Sequence, residues 1–287
     1  MRNNEERFNK ASEINTDPPP QVAVTNPQTE DAALNFVAPT DFVELPSKGN
    51  FYPSEHPLNG QGHIEIRQMT AKDEDILTSS ALLKKGIAIE RLLQNLIINR
   101  SININKLLVG DKNAILIKAR ISAYGANYKT KVQCPVCTQY SENEFNLSDV
   151  IINNGHDAQS KDVTMNENGN FVFSLPKSEV SVEVKLLTGE DEKKLTIATE
   201  QRRKYNLPET GWTDQLKTFI VSVNDITDPA VIDRFIDNMP ASDSRHLRKV
   251  YTEVVPNVDL RQNIICGQCY SESELEVPLT ADFFWPN

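Results

Sequence analysis

The chain has 287 residues, of which 39% are hydrophobic and 24% are charged, and its formal net charge is -10. This is ordinary globular composition, with enough residues for a sizeable core in one large domain or two small ones. The acidic balance argues against a general nucleic-acid binder, which needs a basic surface for phosphates. No apolar run suits a transmembrane helix and no signal-peptide core is present, so we expect a cytoplasmic protein without a membrane partner.

The N-terminal segment, residues 1–41, is polar, rich in proline and poor in aromatic residues. Such a segment buries too little apolar surface to offset the entropy lost when it becomes ordered. We therefore predict a disordered tail, which either has no role of its own or serves as a docking strand.

The next segment, residues 42–148, begins with a strand and helices. Alternating apolar and polar residues at 64–67 predict a half-buried strand. Thr70, followed closely by acidic residues, predicts a capped helix that ends near Gly86. Apolar residues at helical spacing predict a second helix over residues 87–98.

The same segment closes with a third helix and a hairpin. Asp111 is expected to cap a helix that runs from Lys112 to about Tyr124. A strand, a C-x-x-C turn and a returning strand that ends near Leu147 then predict a β-hairpin. Residues 149–170 are rich in Asn, Asp, Ser and Gly, which predicts a linker or a long surface loop.

The last segment, residues 171–287, shows the same order of features. The equivalent positions are Ile64 and Val182, Thr70 and Thr188, Asp73 and Asp191, Asp111 and Asp243, and Cys134 and Cys266. We interpret the segments 42–148 and 171–287 as two pseudo-symmetric repeats of an α+β unit. The alternative is that both halves merely share common α+β features. The second copy is longer, and we expect its extra residues in a loop from Tyr205 to Trp212.

The cysteines form two C-x-x-C pairs, one at each predicted hairpin tip. They are Cys134, Cys137, Cys266 and Cys269. Zn²⁺ favours four tetrahedral ligands, and a closed all-thiolate site is structural rather than catalytic. Pairing of the two repeats would bring both C-x-x-C turns to one structural Zn²⁺, which would then contribute directly to folding.

Other uses of the cysteines remain open at this stage. A redox C-x-x-C normally precedes a helix, which neither pair does, and two disulfides would suit an oxidising compartment. Two separate sites that recruit His63 or His246 are a further alternative, as is an iron–sulfur cluster. Because the four histidines have no ligand spacing, we interpret them as ordinary residues; they are His56, His63, His156 and His246.

No nucleotide-binding, metalloprotease or serine-hydrolase motif occurs in the chain. The acidic clusters at residues 73–75 and 190–192 lie at predicted helix starts, which is a sufficient structural reason for them. The basic run 202–204 is predicted to lie in a solvated loop. A second basic set on a later helix is expected to be solvated, or to meet an acidic partner or nucleic acid; it comprises Arg245, Arg248 and Lys249. The apolar C-terminal residues 283–286 are expected to close the core or to dock on a neighbouring subunit.

Several motifs together resemble one known family. They are LPSKG with a following tyrosine (Leu45 to Gly49, Tyr52), the helix start at Met69 to Glu74, LLVGD (Leu107 to Asp111), RISAYG with a following tyrosine (Arg120 to Gly125, Tyr128) and CPVC. This set is similar to the T4-type bacteriophage baseplate hub assembly protein family, chiefly over residues 42–148. The resemblance implies a non-enzymatic tail protein that builds or joins the baseplate hub, without a small-molecule substrate. Its expected partners are other tail or hub proteins, in the host cytoplasm during assembly or in the virion tail.

Two other functions are compatible with the cysteines. A zinc-ribbon regulator acting on nucleic acid predicts a basic, aromatic surface around the C-x-x-C turns. Lys129, Lys131 and Tyr140 fit that surface, whereas Glu272 and Glu274 near the second turn do not. A thiol oxidoreductase predicts reactive, solvent-accessible thiols.

Overall fold

Helices and small antiparallel sheets together build the part of the chain that this computed structural model describes, residues 38–155, 162–207, 210–277, 279 and 281–284. This mixture of helices and small sheets is compatible with the predicted α+β class. The first elements are β1 (Thr40–Glu44), β2 (His63–Arg67), α1 (Ala71–Thr78), α2 (Ser80–Lys84), α3 (Ala88–Leu96), a 3-10 turn (Ile104–Lys106), α4 (Val109–Tyr124), β3 (Asn127–Gln133) and β4 (Tyr140–Asn146). The strand β1 begins ahead of the boundary predicted at residue 42, and the rest of the predicted tail lies outside the described residues.

The remaining elements are again helices and short strands. They are β5 (Ile151–Asn153), β6 (Thr164–Met165), β7 (Phe171–Ser174), β8 (Ser181–Val184), α5 (Gly189–Lys204), α6 (Gly211–Phe219), β9 (Ile220–Val223), α7 (Pro229–Asn238), α8 (Ala241–Val254), β10 (Asn257–Asp259), β11 (Arg261–Ile265), β12 (Glu272–Glu276) and a 3-10 turn (Ala281–Phe284). The basic run 202–204 therefore forms the last turn of α5 instead of a loop, and Arg202 makes a salt bridge to Asp214 at 3.1 Å.

Pairing of the strands connects distant parts of the chain. β1 pairs with β2, β3 with β4 and β11 with β12, while β6, β7, β8 and β9 form one sheet in that order. β5 pairs with β10, although β5 belongs to the segment expected to be a linker. Val258 of β10 is buried, so the backbone around it needs hydrogen-bond partners from the protein, and β5 supplies them.

Both capped helix starts that were predicted from sequence are present, but the first helix is interrupted at Ser79, whose backbone is extended, and continues as the separate helix α2. The backbone N–H of Thr70 donates to Asp73 at 2.9 Å, and that of Thr188 donates to Asp191 at 3.1 Å. Arg67 at the end of β2 and Lys185 directly after β8 pair with the same two carboxylates at 2.6 and 2.8 Å. Burial by itself raises the pKa of Asp73, but hydrogen bonds from Arg67 and the helix start outweigh burial and hold it well below its usual range.

The prediction that Asp111 caps a helix is wrong. Helix α4 already begins at Val109, so Asp111 lies inside its first turn, fully buried. Its carboxylate accepts hydrogen bonds from the Ser47 amide at 3.0 Å, the Ser47 hydroxyl at 2.6 Å and the Tyr52 hydroxyl at 2.7 Å. Asp111 therefore ties α4 to the turn that follows β1.

Asp243 has the same role in the second half. It lies in the first turn of α8, buried, and accepts hydrogen bonds from the amides of Lys177 and Ser178 at 2.8 and 2.9 Å. Those amides follow Leu175 and Pro176, as Ser47 follows Leu45 and Pro46. Two equivalent aspartates thus hold two equivalent Leu-Pro turns.

The extra length of the second half lies in two places. Some of it is in the loop between α5 and α6, as predicted, but helix α7 adds a larger part. This helix occupies the place where the first half has only a short 3-10 turn before α4. The prediction of one enlarged loop between Tyr205 and Trp212 is therefore only partly right.

Backbone hydrogen bonds join the two halves at the centre of the fold. Val109 donates to the Leu187 carbonyl at 3.0 Å, and Gly189 donates to the Leu107 carbonyl at 2.9 Å. Beside them, a Cβ atom on Gly110 would lie 2.0 Å from the Pro256 carbonyl oxygen. The glycine is required because the backbone before β10 passes against the start of α4.

The C-terminal residues pack into the core. Phe283 and Phe284 are fully buried, and the Phe283 carbonyl accepts a hydrogen bond from the buried Arg120 guanidinium at 2.7 Å. The Phe283 ring meets Tyr128 edge-on, with centroids 5.1 Å apart. The predicted closure of the core is confirmed for these two phenylalanines, while Trp285 and Pro286 lie outside the described residues.

Candidate metal centre

Each C-x-x-C pair lies in the turn of a β-hairpin. In the first hairpin the last paired residues are Gln133 and Tyr140. The turn between them is closed by two backbone hydrogen bonds of Cys134, whose amide donates to the Gln139 carbonyl and whose carbonyl accepts from Thr138, both at 2.9 Å. Thr138 has a φ of 59°, so the chain reverses through a left-handed residue directly after Cys137.

The second hairpin repeats this turn. The Cys266 amide donates to the Ser271 carbonyl at 3.0 Å, and the Cys266 carbonyl accepts from the Tyr270 amide at 2.9 Å. Tyr270 has a φ of 55°, in the position that Thr138 occupies in the first turn. The two turns therefore present their cysteines with the same backbone geometry.

All four thiols converge on one point between the hairpins. The Sγ atoms of Cys134 and Cys269 are 3.8 Å apart, and those of Cys137 and Cys266 are 3.7 Å apart. All four lie within 4.8 Å of one another. Zn–S bonds of about 2.3 Å in a tetrahedron place neighbouring sulfur atoms about 3.8 Å apart. Both of these thiol pairs join one half of the chain to the other, so a bound ion would link the halves.

These separations exclude disulfide bonds, whose sulfur atoms are about 2.05 Å apart. All four cysteines are free, with Cys134 and Cys266 buried and Cys269 exposed. Neither turn leads into a helix, since β4 and β12 follow them. The structural setting that activates a redox C-x-x-C is therefore missing from both turns.

The local hydrogen bonds favour thiolates at the two buried positions. The Cys137 amide, the Ser271 hydroxyl and the Val136 amide lower the pKa of Cys134 to about 6. The Cys269 and Gln268 amides lower the pKa of Cys266 in the same way. At Cys137 the Gln139 amide also lowers the pKa, but burial and the neighbouring thiols outweigh it and raise the pKa to about 12. Four such close thiols ionise together only if a cation lies between them.

A side-chain amide links the two hairpins through hydrogen bonds. Gln262 of β11 donates to the Asn146 carbonyl at 2.8 Å and accepts from the Asn146 amide at 3.2 Å. It thereby satisfies the backbone of the last residue of β4 as a neighbouring strand would. The Ser271 hydroxyl lies 2.9 Å from the Cys269 Sγ and 3.6 Å from the Cys134 Sγ, and so contacts thiols from both halves.

Sequence reasoning named the four cysteines but missed these supporting residues. Nothing in the spacing of Gln262 or Ser271 distinguishes them from other polar strand residues. The turns that Asp111 and Asp243 hold are marked in the sequence by Leu-Pro pairs at residues 45–46 and 175–176. Comparison of those pairs would have assigned Asp111 and Asp243 to turns instead of helix caps.

Within the described part of the chain, no histidine joins the thiols. The cluster of potential metal ligands found among the described residues contains the four cysteines and no histidine. His56 stacks on Tyr52 with centroids 4.3 Å apart, and His246 meets Phe173 edge-on at 6.2 Å. His156 lies outside the described residues.

Comparison with known protein families relates the chain to bacteriophage baseplates. The model of the family described as T4 bacteriophage base plate protein matches residues 39–285, which includes both hairpins. No curated protein and no solved structure matches the chain. In the part of the chain that the structure describes, no helix is long and apolar enough to cross a membrane.

Proposed function

Because the chain belongs to the T4 bacteriophage base plate protein family, we propose that it is a non-enzymatic structural component or assembly factor of the baseplate hub. The observation that carries this proposal is the extent of the family match, which spans both halves of the folded region. The resemblance noted in the motifs of the first half therefore extends to the second half. The proposed partners are other tail and baseplate proteins.

The buried carboxylates support a structural role. The side chains of Asp73, Asp111, Asp191 and Asp243 all serve the fold, since each accepts hydrogen bonds from a helix start or a tethered turn. A carboxylate engaged in this way is not available as a general acid or base without breaking the fold. The acidic clusters thus have a structural explanation.

The ion we propose between the hairpins is Zn²⁺, with Cys134, Cys137, Cys266 and Cys269 as its ligands. Sulfur separations near 3.8 Å match a tetrahedral Zn–S₄ site, and no fifth donor or open position is needed. Such an ion would stabilise the fold without taking part in a reaction. It would hold both hairpins, and so both halves of the chain, at one point.

We also propose that the two halves arose by duplication and are related by a pseudo-twofold axis. Three matched features support this: the capped helices α1 and α5, the aspartate-tethered turns, and the cysteine hairpins. The reciprocal hydrogen bonds of residues 107–109 with residues 187–189 lie where such an axis would pass. The repeats extend over residues 42–148 and 171–287 in this proposal.

The alternative role, a zinc-ribbon regulator on nucleic acid, has less support. The exposed face of β12 carries Glu272, Glu274 and Glu276, which would repel phosphates. A DNA mobility-shift assay at physiological salt is expected to be negative. Binding that weakens with increasing salt would favour the regulator.

Two experiments test the proposal. Phage that lack a functional copy of this chain should accumulate unassembled baseplate intermediates, visible by sedimentation and electron microscopy. Normal tails in their place would refute the assembly role. Metal analysis of the purified chain should give one zinc per chain, whereas no metal, two metals, or iron with sulfide would refute the shared zinc site.

A further inference from the structure

The two cysteine hairpins share one backbone design but differ in their exposed side chains. Equivalent positions, first hairpin before second, are Gln133 and Ile265, Val136 and Gln268, Thr138 and Tyr270, and Tyr140 and Glu272. In every pair one side chain is large and apolar or aromatic, and its counterpart is polar. Because the polar member adopts the same backbone position, the hairpin fold does not require the apolar one.

All four of these apolar or aromatic side chains are largely solvent-exposed. The exposed fraction is 66% for Val136, 66% for Tyr140, 61% for Ile265 and 79% for Tyr270. Each lies within three residues of a cysteine, so the converging thiols bring all four side chains into the neighbourhood of one four-thiol cluster. Single exposed apolar residues need no explanation, but a group around one point indicates a binding surface.

Charge distinguishes the second hairpin from the first. On the exposed face of the first hairpin, Lys129 and Lys131 stand opposite Glu144 and Glu142 and balance them. On the second, Arg261 is the one basic residue that faces three glutamates, and it is shared between Asp259 and Glu274, whose carboxylate lies 3.9 Å from it; the glutamates are Glu272, Glu274 and Glu276. Ile265 stands directly opposite Glu272 in the strand register. The apolar tip of the second hairpin therefore borders an acidic face.

We propose that the hairpin tip is a docking surface for a basic partner protein. Ile265 and Tyr270 enter an apolar recess of the partner, and lysines or arginines at the edge of that recess face Glu272, Glu274 and Glu276. Aromatic side chains commonly dominate the binding energy of such surfaces, and complementary charge directs the approach. This inference rests on the proposed role in the baseplate and adds the surface and the chemistry of its partner.

The same charges disfavour other occupants. Nucleic acid and anionic lipid would both be repelled by the three glutamates. A second copy that approached tip to tip would place two acidic faces against each other. A protein surface with positive charge next to an apolar recess satisfies both features of the hairpin tip.

A photo-cross-linking experiment tests the proposal in the full-length chain during phage production. The substitution Tyr270→p-benzoylphenylalanine places the cross-linker at the tip, and the same substitution at Tyr205, which is 68% exposed directly after α5, is the matched control. Cross-links from position 270 should map to a protein segment that contains lysine or arginine. Two further variants are made in the cross-linking chain: Ile265→Gln alone, and Glu272→Gln together with Glu274→Gln. Each should reduce the yield of cross-links from position 270 by about tenfold. The glutamine at 265 copies Gln133, and unchanged zinc content and melting temperature would show that these variants fold.

Several outcomes would overturn the docking surface. They are cross-links to nucleic acid, lipid, a second copy or an acidic segment, a yield that the glutamine variants leave unchanged, and a signal no stronger than that from position 205. Cross-links are sought among all molecules of the infected cells and not only among baseplate proteins. Their detection therefore does not depend on the proposed function. If the partner is basic but lies outside the baseplate, the surface stands and the baseplate role fails. If the chain is in baseplates and position 270 gives no cross-link, the baseplate role stands and the surface fails.

Discussion

Loss of the proposed Zn²⁺ should loosen both halves of the chain together, because each half contributes two of the four thiols. The substitution Cys134→Ser removes a buried thiol that lies 3.8 Å from Cys269 of the opposite half. Serine is a poor ligand for Zn²⁺, so the ion would be released or held weakly. The second hairpin would then lose its anchor although its own sequence is unchanged.

The size of the effect follows from linkage between binding and folding. A metal present at 100 to 1,000 times its dissociation constant stabilises the folded state by about 2.7 to 4.1 kcal/mol. For a chain of this size, each kcal/mol corresponds to about 2–4 °C in melting temperature. Cys134→Ser, or removal of zinc by a chelator, should therefore lower Tm by about 5–15 °C.

Calorimetry measures the shift in Tm, and hydrogen exchange shows where the protection is lost. Faster exchange is expected in both hairpins, β3–β4 and β11–β12. Gln139→Ser is the matched control, since it alters an exposed side chain of the same turn that carries no thiol. Faster exchange confined to the first hairpin, or a melting temperature that a chelator leaves unchanged, would refute a shared ion.

Three further predictions concern the tethers, the central glycine and pH. Asp111→Ala leaves the Ser47 and Tyr52 donors buried without their acceptor and should cost at least about 3 kcal/mol in urea unfolding, whereas the exposed Asp75→Ala should be neutral within error. Gly110→Ala places a methyl group 2.0 Å from the Pro256 carbonyl and should destabilise by about 1–3 kcal/mol; a wild-type midpoint would refute the close approach. The pKa values of Asp73, Asp191 and Asp243 are lowered by folding, so their contribution is complete above about pH 4 and is lost as the pH falls through the folded-state values. Burial raises the pKa of Asp111, which acts in the opposite sense, so Asp73→Asn should flatten the acid side of a stability–pH curve and Asp111→Asn should not.

Features that depend on neighbours in sequence were predictable. The capping boxes at Thr70 and Thr188 involve residues one turn apart, and the hairpins at the C-x-x-C turns join strands a few residues from each other. Such contacts have a low entropic cost of closure, so local residue preferences decide them. The equal spacing of the two halves then indicated that the thiols of both turns belong together.

Contacts between distant segments were decided only by tertiary packing. The strand β5 was expected to lie in a linker or a long surface loop because the segment 149–170 around it is polar, yet it pairs with β10 about a hundred residues later. Asp111 was expected to cap a helix because aspartate is common there, yet the turn after β1 supplies its hydrogen-bond donors. Residue type in both places suits more than one local structure, and the long-range partner selects between them.

The four-cysteine site likewise has a part that the sequence predicted and a part that only tertiary packing decided. Their number, their C-x-x-C spacing and their equivalent places in the two halves predicted a single four-thiol site from the sequence alone. The tertiary structure determined that Cys134 contacts Cys269 and that Cys137 contacts Cys266, and that Gln262 and Ser271 hold the hairpins around them. The reason is physical: spacing within a turn sets how two thiols of one pair are presented, but only the packing of one hairpin against the other sets the distances between pairs.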